Sequence, residues 1–398
     1  MKFKKLVMKV LMHKSKADRV SSVSSPIPSH SDVSSVNPIP PEPLPPIHQL
    51  PMELLQVIFL LIVNDDTYSP NIFSTGRNST WANFSSPPLL FTCVCRRWRD
   101  VAHLTPGIWS RISVILPRLL VEPSSPLLPN LLQSWLDRSA SHPLTIHVQG
   151  PSSQSDIDYY VDPSSANSRL LEILMAEMGR WEILFGASDL FDRRDTFDTP
   201  QLKMLECTSP YVPKVNAPNL HRLRIVDQLL AAVQFTSNPT CTNIRHLYLR
   251  NASAGAIRSF SAIFPRLETL VVDELAPQFG DISRSDTFPC LETMTLPMYH
   301  HYHGDAFIDI FIGLRVPMLQ KLNVEGKPAT KEVESVMMAL AGAASRTIRA
   351  VDFVPTMRYD KVEEITVQPL LLVVREVAVR GEVIVRREVI APFRGIGL

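Results

Sequence analysis

Three imidazoles fall within four positions, at His300, His301 and His303, and Asp305 follows two residues later. This cluster has the side-chain chemistry of a zinc or copper site. Yet it lacks the helical i, i+4 histidine pair or the HExxH arrangement that makes such ligands converge. It lies after a strand-like phrase and before a helical one, so it reads as an exposed loop; a metal-binding enzyme using the stretch from His300 to Asp305 is the alternative. Cys93 and Cys95 stand in a helical stretch where cysteine acts as a small apolar residue, and no CxxC pair is present. No GxSxG elbow offers a hydrolase nucleophile. The 14 glycines form neither a dinucleotide fingerprint nor a phosphate loop. The adjacent Glu363 and Glu364 read as a solvated face. The expectation is therefore a chain with no catalytic residue, cofactor or metal of its own. What remains is recognition.

Composition narrows the partner. The 40 Lys+Arg nearly balance the 39 Asp+Glu, for a net charge of +1. Phosphate backbones need a basic surplus, so nucleic acid is excluded as the main partner. Proline is abundant at 34 of 398 residues, about 8.5% against a usual ~5%, which predicts many punctuated turns. Five scattered cysteines make no disulfide framework. The lysines at 4, 5 and 9 interrupt the apolar start, which argues against a secretory signal. No apolar run reaches 18 residues, so no membrane span is expected. The N-x-[ST] matches at Asn78, Asn83 and Asn251 then have no meaning as glycosylation sites. The expected location is cytoplasmic, nuclear or both.

The elements that would carry recognition begin after a head, residues 1–46. Residues 1–19 hold seven Lys/Arg and one acid, Asp18, and read as a solvated basic tail. Residues 21–46 are mostly Ser and Pro, too poor in apolar surface to offset their ordering entropy, and read as a disordered, stiff spacer. At Ile47 the character changes. Leu50-Pro51 opens a helical stretch in which Leu54, Val57, Ile58 and Leu61 share one face at i, i+3, i+4, i+7. A second stretch runs from Leu89 through Val94-Cys95-Arg96-Arg97-Trp98 to a close at Ile108-Trp109. Either segment alone is too short to be a stable helix in water, so the two must bury one another.

Residues 47–112 resemble an F-box, on three ordered blocks: Leu50-Pro51 with Ile58-Phe59, then Val94-Cys95-Arg96-Arg97-Trp98, then Ile108-Trp109. The likeness is greatest to the large F-box families of mushroom-forming fungi. The resemblance implies docking on the Skp-type adaptor of a cullin–RING ubiquitin ligase, through Leu50, Pro51, Leu54, Leu55, Ile58, Val94 and Trp98, several of which could equally form the module's core. One departure stands out. Residues 64–87 make a connection longer than the family's, rich in Ser, Asn, Thr and Pro, and read as a tolerated surface insertion.

A repeat follows. Phrases beginning at Leu202, Leu220, Ile244, Leu267, Leu291, Leu319 and Ile348 follow the pattern Leu-x-x-Leu-x-apolar, spaced 18, 24, 23, 24, 28 and 29 residues apart. That is the leucine-rich-repeat period. The last two apolar positions alternate as on a strand with one face inward. Helix-like stretches at 254–264, 305–314 and 331–343 lie between phrases, and the segments 144–148 and 181–184, with an amphipathic stretch at 131–136, fit as degenerate units. The consensus asparagine is absent, so the repeats are irregular. The expected fold is α+β: a small helical module, then a repeat-like α/β solenoid with a parallel sheet over 113–360. In residues 361–398, Val/Ile alternate with charge around Arg380-Gly381, a strand pattern that could form a terminal cap. Together these features predict a non-catalytic receptor that holds the adaptor at one end and an unidentified target protein on the repeats. The alternative in the same class is an F-box–repeat scaffold acting outside ubiquitin transfer.

Overall fold

The computed structural model describes residues 46–65, 72–75, 80–116, 127–149, 166–186, 196–207, 214–226, 242–276, 286–298, 304–326, 330–342, 347–354, 370, 374–379 and 382–385. The basic Ser/Pro head through residue 45 and the Tyr/His cluster at 299–303 lie outside the described residues. The chain divides into two compact units, one of Met1–His142 with Val161–Leu170, the other of Pro143–Tyr160 with Leu171–Leu398.

The first unit is built around aromatic rings. Helix α1 (Met52–Val63) starts behind Pro51 and buries Leu55, Phe59, Ile62 and Val63. Helices α2 (Leu89–Val94) and α3 (Arg96–His103) are separated only by Cys95, whose extended backbone breaks the helix and whose Sγ accepts from the Trp98 N–H at 3.5 Å. The break turns α3 so that Trp98 meets α1: Phe59 stacks on Phe91 at 4.1 Å between centroids, and Trp98 lies 5.0 Å from Phe59. Such contacts add to simple area burial. The 3-10 turn Pro106–Trp109 is tied back when Trp109 Nε1 donates to the Ala102 carbonyl at 2.8 Å. Helix α4 (Leu127–Arg138) sets the edge of Trp135 against Trp109 at 5.1 Å and the Arg138 guanidinium over the same ring at 4.8 Å. The unit therefore runs past residue 112, to include α4.

The connection at 64–87 is not a surface insertion. It contains a hairpin, β1 (Phe73–Thr75) antiparallel to β2 (Thr80–Ala82), and Ile72 and Phe73 are fully buried. The Ile72 N–H donates to the Ser113 carbonyl at 3.0 Å, close to the middle of β3 (Arg111–Ile115). Ile72 and Phe73 supply core, so the described part of this largely polar stretch is integral to the unit.

In the second unit the repeated phrases become parallel strands: β4 (Leu144–Gln149), β5 (Trp181–Phe185), β7 (Met204–Cys207), β9 (Arg222–Ile225), β10 (His246–Ala252), β11 (Thr269–Leu275), β12 (Thr293–Pro297), β13 (Lys321–Glu325) and β14 (Ala350–Val354), hydrogen-bonded in that order. Helix α5 (Ala166–Ala176) precedes β5, and a two-stranded parallel pair, β6 (Thr196–Asp198) with β8 (Lys214–Asn216), flanks β7. One continuous register joins Leu184, Leu205, Leu223, Leu247, Leu270, Met294, Leu322 and Val351. All three apolar positions of each of the seven phrases are buried, from Leu202, Leu205 and Cys207 through Ile348, Val351 and Phe353. Helices α6 (Ala254–Ile263), α7 (Gly304–Phe311) and α8 (Thr330–Gly342) lie between successive strands, as expected from their apolar spacing. The result is an α/β arrangement of helices with a large, mostly parallel sheet.

The strands are locked by a recurrent backbone device. The carbonyl just before each strand accepts two consecutive N–H groups from the next phrase. Lys203 takes His221 and Arg222; His221 takes Arg245 and His246; Arg245 takes Glu268 and Thr269, at distances between 2.8 and 3.2 Å. Glu268, Glu292, Gln320 and Arg349 continue the series in the same way. Asn219 Nδ2 and Asn243 Nδ2 add side-chain bonds to the Pro200 and Pro218 carbonyls of the preceding phrases, at 2.7 and 3.1 Å.

The charged Val/Ile segment forms β15 (Glu376–Val379) and β16 (Glu382–Val385). β15 continues the parallel register, with Val377 beside Val351, and β16 runs back antiparallel against it. At the end of β5, Gly186 has φ +67°, and a Cβ there would meet the Val148 carbonyl oxygen at 2.0 Å. Only glycine fits that position.

Leu247→Asp or Leu270→Asp is expected to destabilise the second unit by several kcal/mol, because each places an unpaired charge in the core. Arg245→Ala removes only an exposed pair with Glu268 (3.1 Å) and should change stability by no more than about 0.5 kcal/mol. Thermal melts of the three variants check the inward and outward assignment, which fails if all three shift alike. In the first unit, Phe73→Ala should cost about 3–5 kcal/mol, and a neutral result would return the 64–87 segment to a dispensable loop.

Candidate functional site

Helix α1 is apolar on both faces, and only one of them is used within its unit. The stripe Leu54, Val57 and Leu61 is 51%, 51% and 68% exposed, and Met52 is exposed beside the helix start. Ile58 lies half-buried at the stripe's margin, between the exposed and the core faces. A three-residue apolar row left in water on one helix face is a surface that association would cover.

The seven residues expected to meet a partner separate accordingly. Pro51 and Leu54 are exposed, while Leu50, Ile58 and Val94 are half-buried. Leu55 and Trp98 are fully buried in the aromatic core and shape the surface from beneath. Val57 and Leu61 belong to the surface as well, and their i+3 and i+7 spacing from Leu54 was the signal for them. The helix entry is held from across the unit: the Arg97 guanidinium on α3 donates to the Leu50 carbonyl.

The second unit presents a different surface. Between the core positions of each strand stands one cross-strand row, half-buried except for the buried Thr295: Glu206, Arg224, Tyr248, Val271, Thr295, Asn323 and Asp352. They are linked. Arg224 pairs with Glu206 at 3.2 Å and lies 4.3 Å over the Tyr248 ring, and the Tyr248 hydroxyl donates to Asp273. Further along, Asn323 Nδ2 donates to Thr295 Oγ1 at 3.0 Å and Lys321 pairs with Asp352 at 3.2 Å. Burial, and then the bond to Asp273, raise the Tyr248 hydroxyl above the ordinary tyrosine value. Burial lowers His147, whose ring lies 5.9 Å from Phe185 on the neighbouring strand. Glu325 is pushed above the usual carboxylate value by burial first and by the Asp273 charge second. Charged side chains of both signs stand on these strands, among them Glu206 and Arg224 on β7 and β9, Asp273 on β11, and Lys321 and Asp352 on β13 and β14. None of these residues stood out in the sequence, where they were the variable letters between leucines.

Among the described residues no group of three or more His, Cys, Asp or Glu could hold a metal ion. Cys207 is fully buried, and that burial pushes its thiol up, away from reactivity. No described helix is long and apolar enough to cross a membrane.

The raised carboxyl of Glu325 has a stability consequence. Between the ordinary carboxyl value and the raised one, the folded chain binds more protons than the unfolded chain, so stability falls as pH rises through that window. Glu325→Gln is expected to raise the melting temperature at pH 7 and to have little effect at pH 4. An unchanged pH 7 melt would show that the carboxylate is not held at a cost. No protein-family model matches the chain, and a search of curated proteins finds no match to it.

Proposed function

We propose that the chain is the substrate-recognition subunit of a Skp–cullin–F-box ubiquitin ligase, with an F-box in its first unit and an irregular leucine-rich-repeat solenoid in its second. The observation that carries the reading is the apolar face of α1 that its own core does not use. In an F-box this helix, entered through Leu50-Pro51, meets the adaptor, and here Leu54, Val57 and Leu61 stand in solvent on it. The even succession of parallel strands at the leucine phrases supports the repeat reading, and the polar cross-strand row from Glu206 to Asp352 supplies a surface for a target protein. The protein supplies no catalytic residue. It acts by proximity, since tethering raises the effective concentration of target lysines near a charged ubiquitin-conjugating enzyme. The reading places it where such ligases work, in the cytoplasm, the nucleus or both.

Leu54→Ala combined with Val57→Ala should leave the fold intact, because both residues are outside the core. The pair should remove about 2–3 kcal/mol of association with the Skp-type adaptor, from lost burial. That is a loss of roughly two orders of magnitude in affinity. The measurement is co-purification and titration with the adaptor for wild type and double variant, with a melt as control. Folded wild-type protein that never captures the adaptor would sink the ubiquitin-ligase reading.

A further inference from the structure

We infer that Arg97 is the positioning residue of the partner-facing helix: by donating to the Leu50 carbonyl it sets where α1 begins and therefore where the Leu54, Val57, Leu61 stripe points. The inference rests on the reading of that stripe as the adaptor surface. Three observations carry it. Helix α1 has no side-chain cap, for Pro51 occupies the cap position and can neither donate nor cap. The restraint on its entry comes instead from 47 residues away, through the bond from Arg97 to the last carbonyl before Pro51. Finally, Arg97 sits on a fixed base, because its neighbour Trp98 is fully buried against Phe59 and Phe91. A charged donor on a neutral carbonyl is among the stronger hydrogen bonds. Helical geometry amplifies its effect. A one-residue shift of α1 against its core would turn its side chains by about 100°, enough to carry Leu54 off the exposed face.

Arg97 lies in the same helical block as Trp98, and Leu50 opens the first helical block. The bond thus joins two sequence blocks whose rings also pack on one another. It selects one orientation of an apolar helix that could bury either side.

The test uses the full chain and the Skp-type adaptor with Arg97→Ala, Arg97→Lys, Leu54→Ala and the Arg97→Ala/Leu54→Ala pair. Arg97→Ala should weaken adaptor binding about tenfold, and Arg97→Lys should recover most of it. In the Leu54→Ala background the further loss from Arg97→Ala should shrink to about threefold or less, since the residue it aims is already gone. A second readout needs no adaptor. Hydrogen exchange of the Leu55 amide, which donates to the Pro51 carbonyl at 3.2 Å, should quicken about tenfold or more in Arg97→Ala, with α3 amides unchanged. Additive losses, or exchange that quickens across the whole unit, would reduce Arg97 to a general stabilising contact and overturn the inference. If wild type fails to bind the adaptor, the proposed function falls while the exchange result still decides the role of Arg97.

Discussion

The second unit depends on a single backbone constraint: one carbonyl per phrase, from Lys203 through Arg349, accepts two successive amides of the next phrase. A carbonyl has two lone pairs, and using both at a strand start fixes the following strand in height and direction together. With the start fixed, a period of two puts Leu205, Leu223, Leu247 and their successors inside, and Glu206, Arg224 and Tyr248 outside. A one-residue slip would exchange those sets and bury charge, so register and core enforce each other. The unequal spacing of the phrases is absorbed by the returns between strands, where helices α6 to α8 are found. The outward row inherits its order from the same constraint, which is why residues far apart in the chain, such as Tyr248 and Asp273, can form a connected set.

The first unit solves a smaller problem with different means. Its core is aromatic: Phe59, Phe91, Trp98, Trp109 and Trp135 fill it with few residues. Large rings cover much area per residue, so α1 needs only one face for folding and leaves the other apolar face open. The extended Cys95 between α2 and α3 makes this geometry available by redirecting the chain in a single residue. Stability and recognition are thus divided between the two sides of one helix.

Much of this was legible in the residues themselves. The leucine phrases announced the strands because each carries its own periodicity, and every apolar position so identified is buried. The helices at 254–264, 305–314 and 331–343 were readable for the same reason. What escaped was whatever depends on distant neighbours. Leu55 and Trp98 stood among the adaptor candidates because the F-box resemblance implied them, and a resemblance does not say which of its apolar residues the module's own core will take. Ile72 and Phe73 were hidden in a Ser/Asn/Thr-rich stretch, since two apolar residues make no period, yet the pairing of Ile72 with Ser113 draws them inward. Val377 joins the stack although its segment lacks the leucine phrase, because a strand needs only matching register and one inward face. The outward row was invisible because its members are defined by cross-strand adjacency.

The parallel register also bears on how the chain comes together during synthesis. From β7 onward each strand finds its partner only one phrase away in sequence, some 18 to 29 residues earlier. Closing such short loops is fast and entropically modest. A ribosome adding roughly 5–20 residues per second would release a new pairing partner every few seconds. Each emerging strand then meets a template that is already in place, and the growing edge is never exposed for much longer than one phrase takes to translate. β16, antiparallel to β15, emerges directly after the strand it pairs with and so has the shortest wait of all.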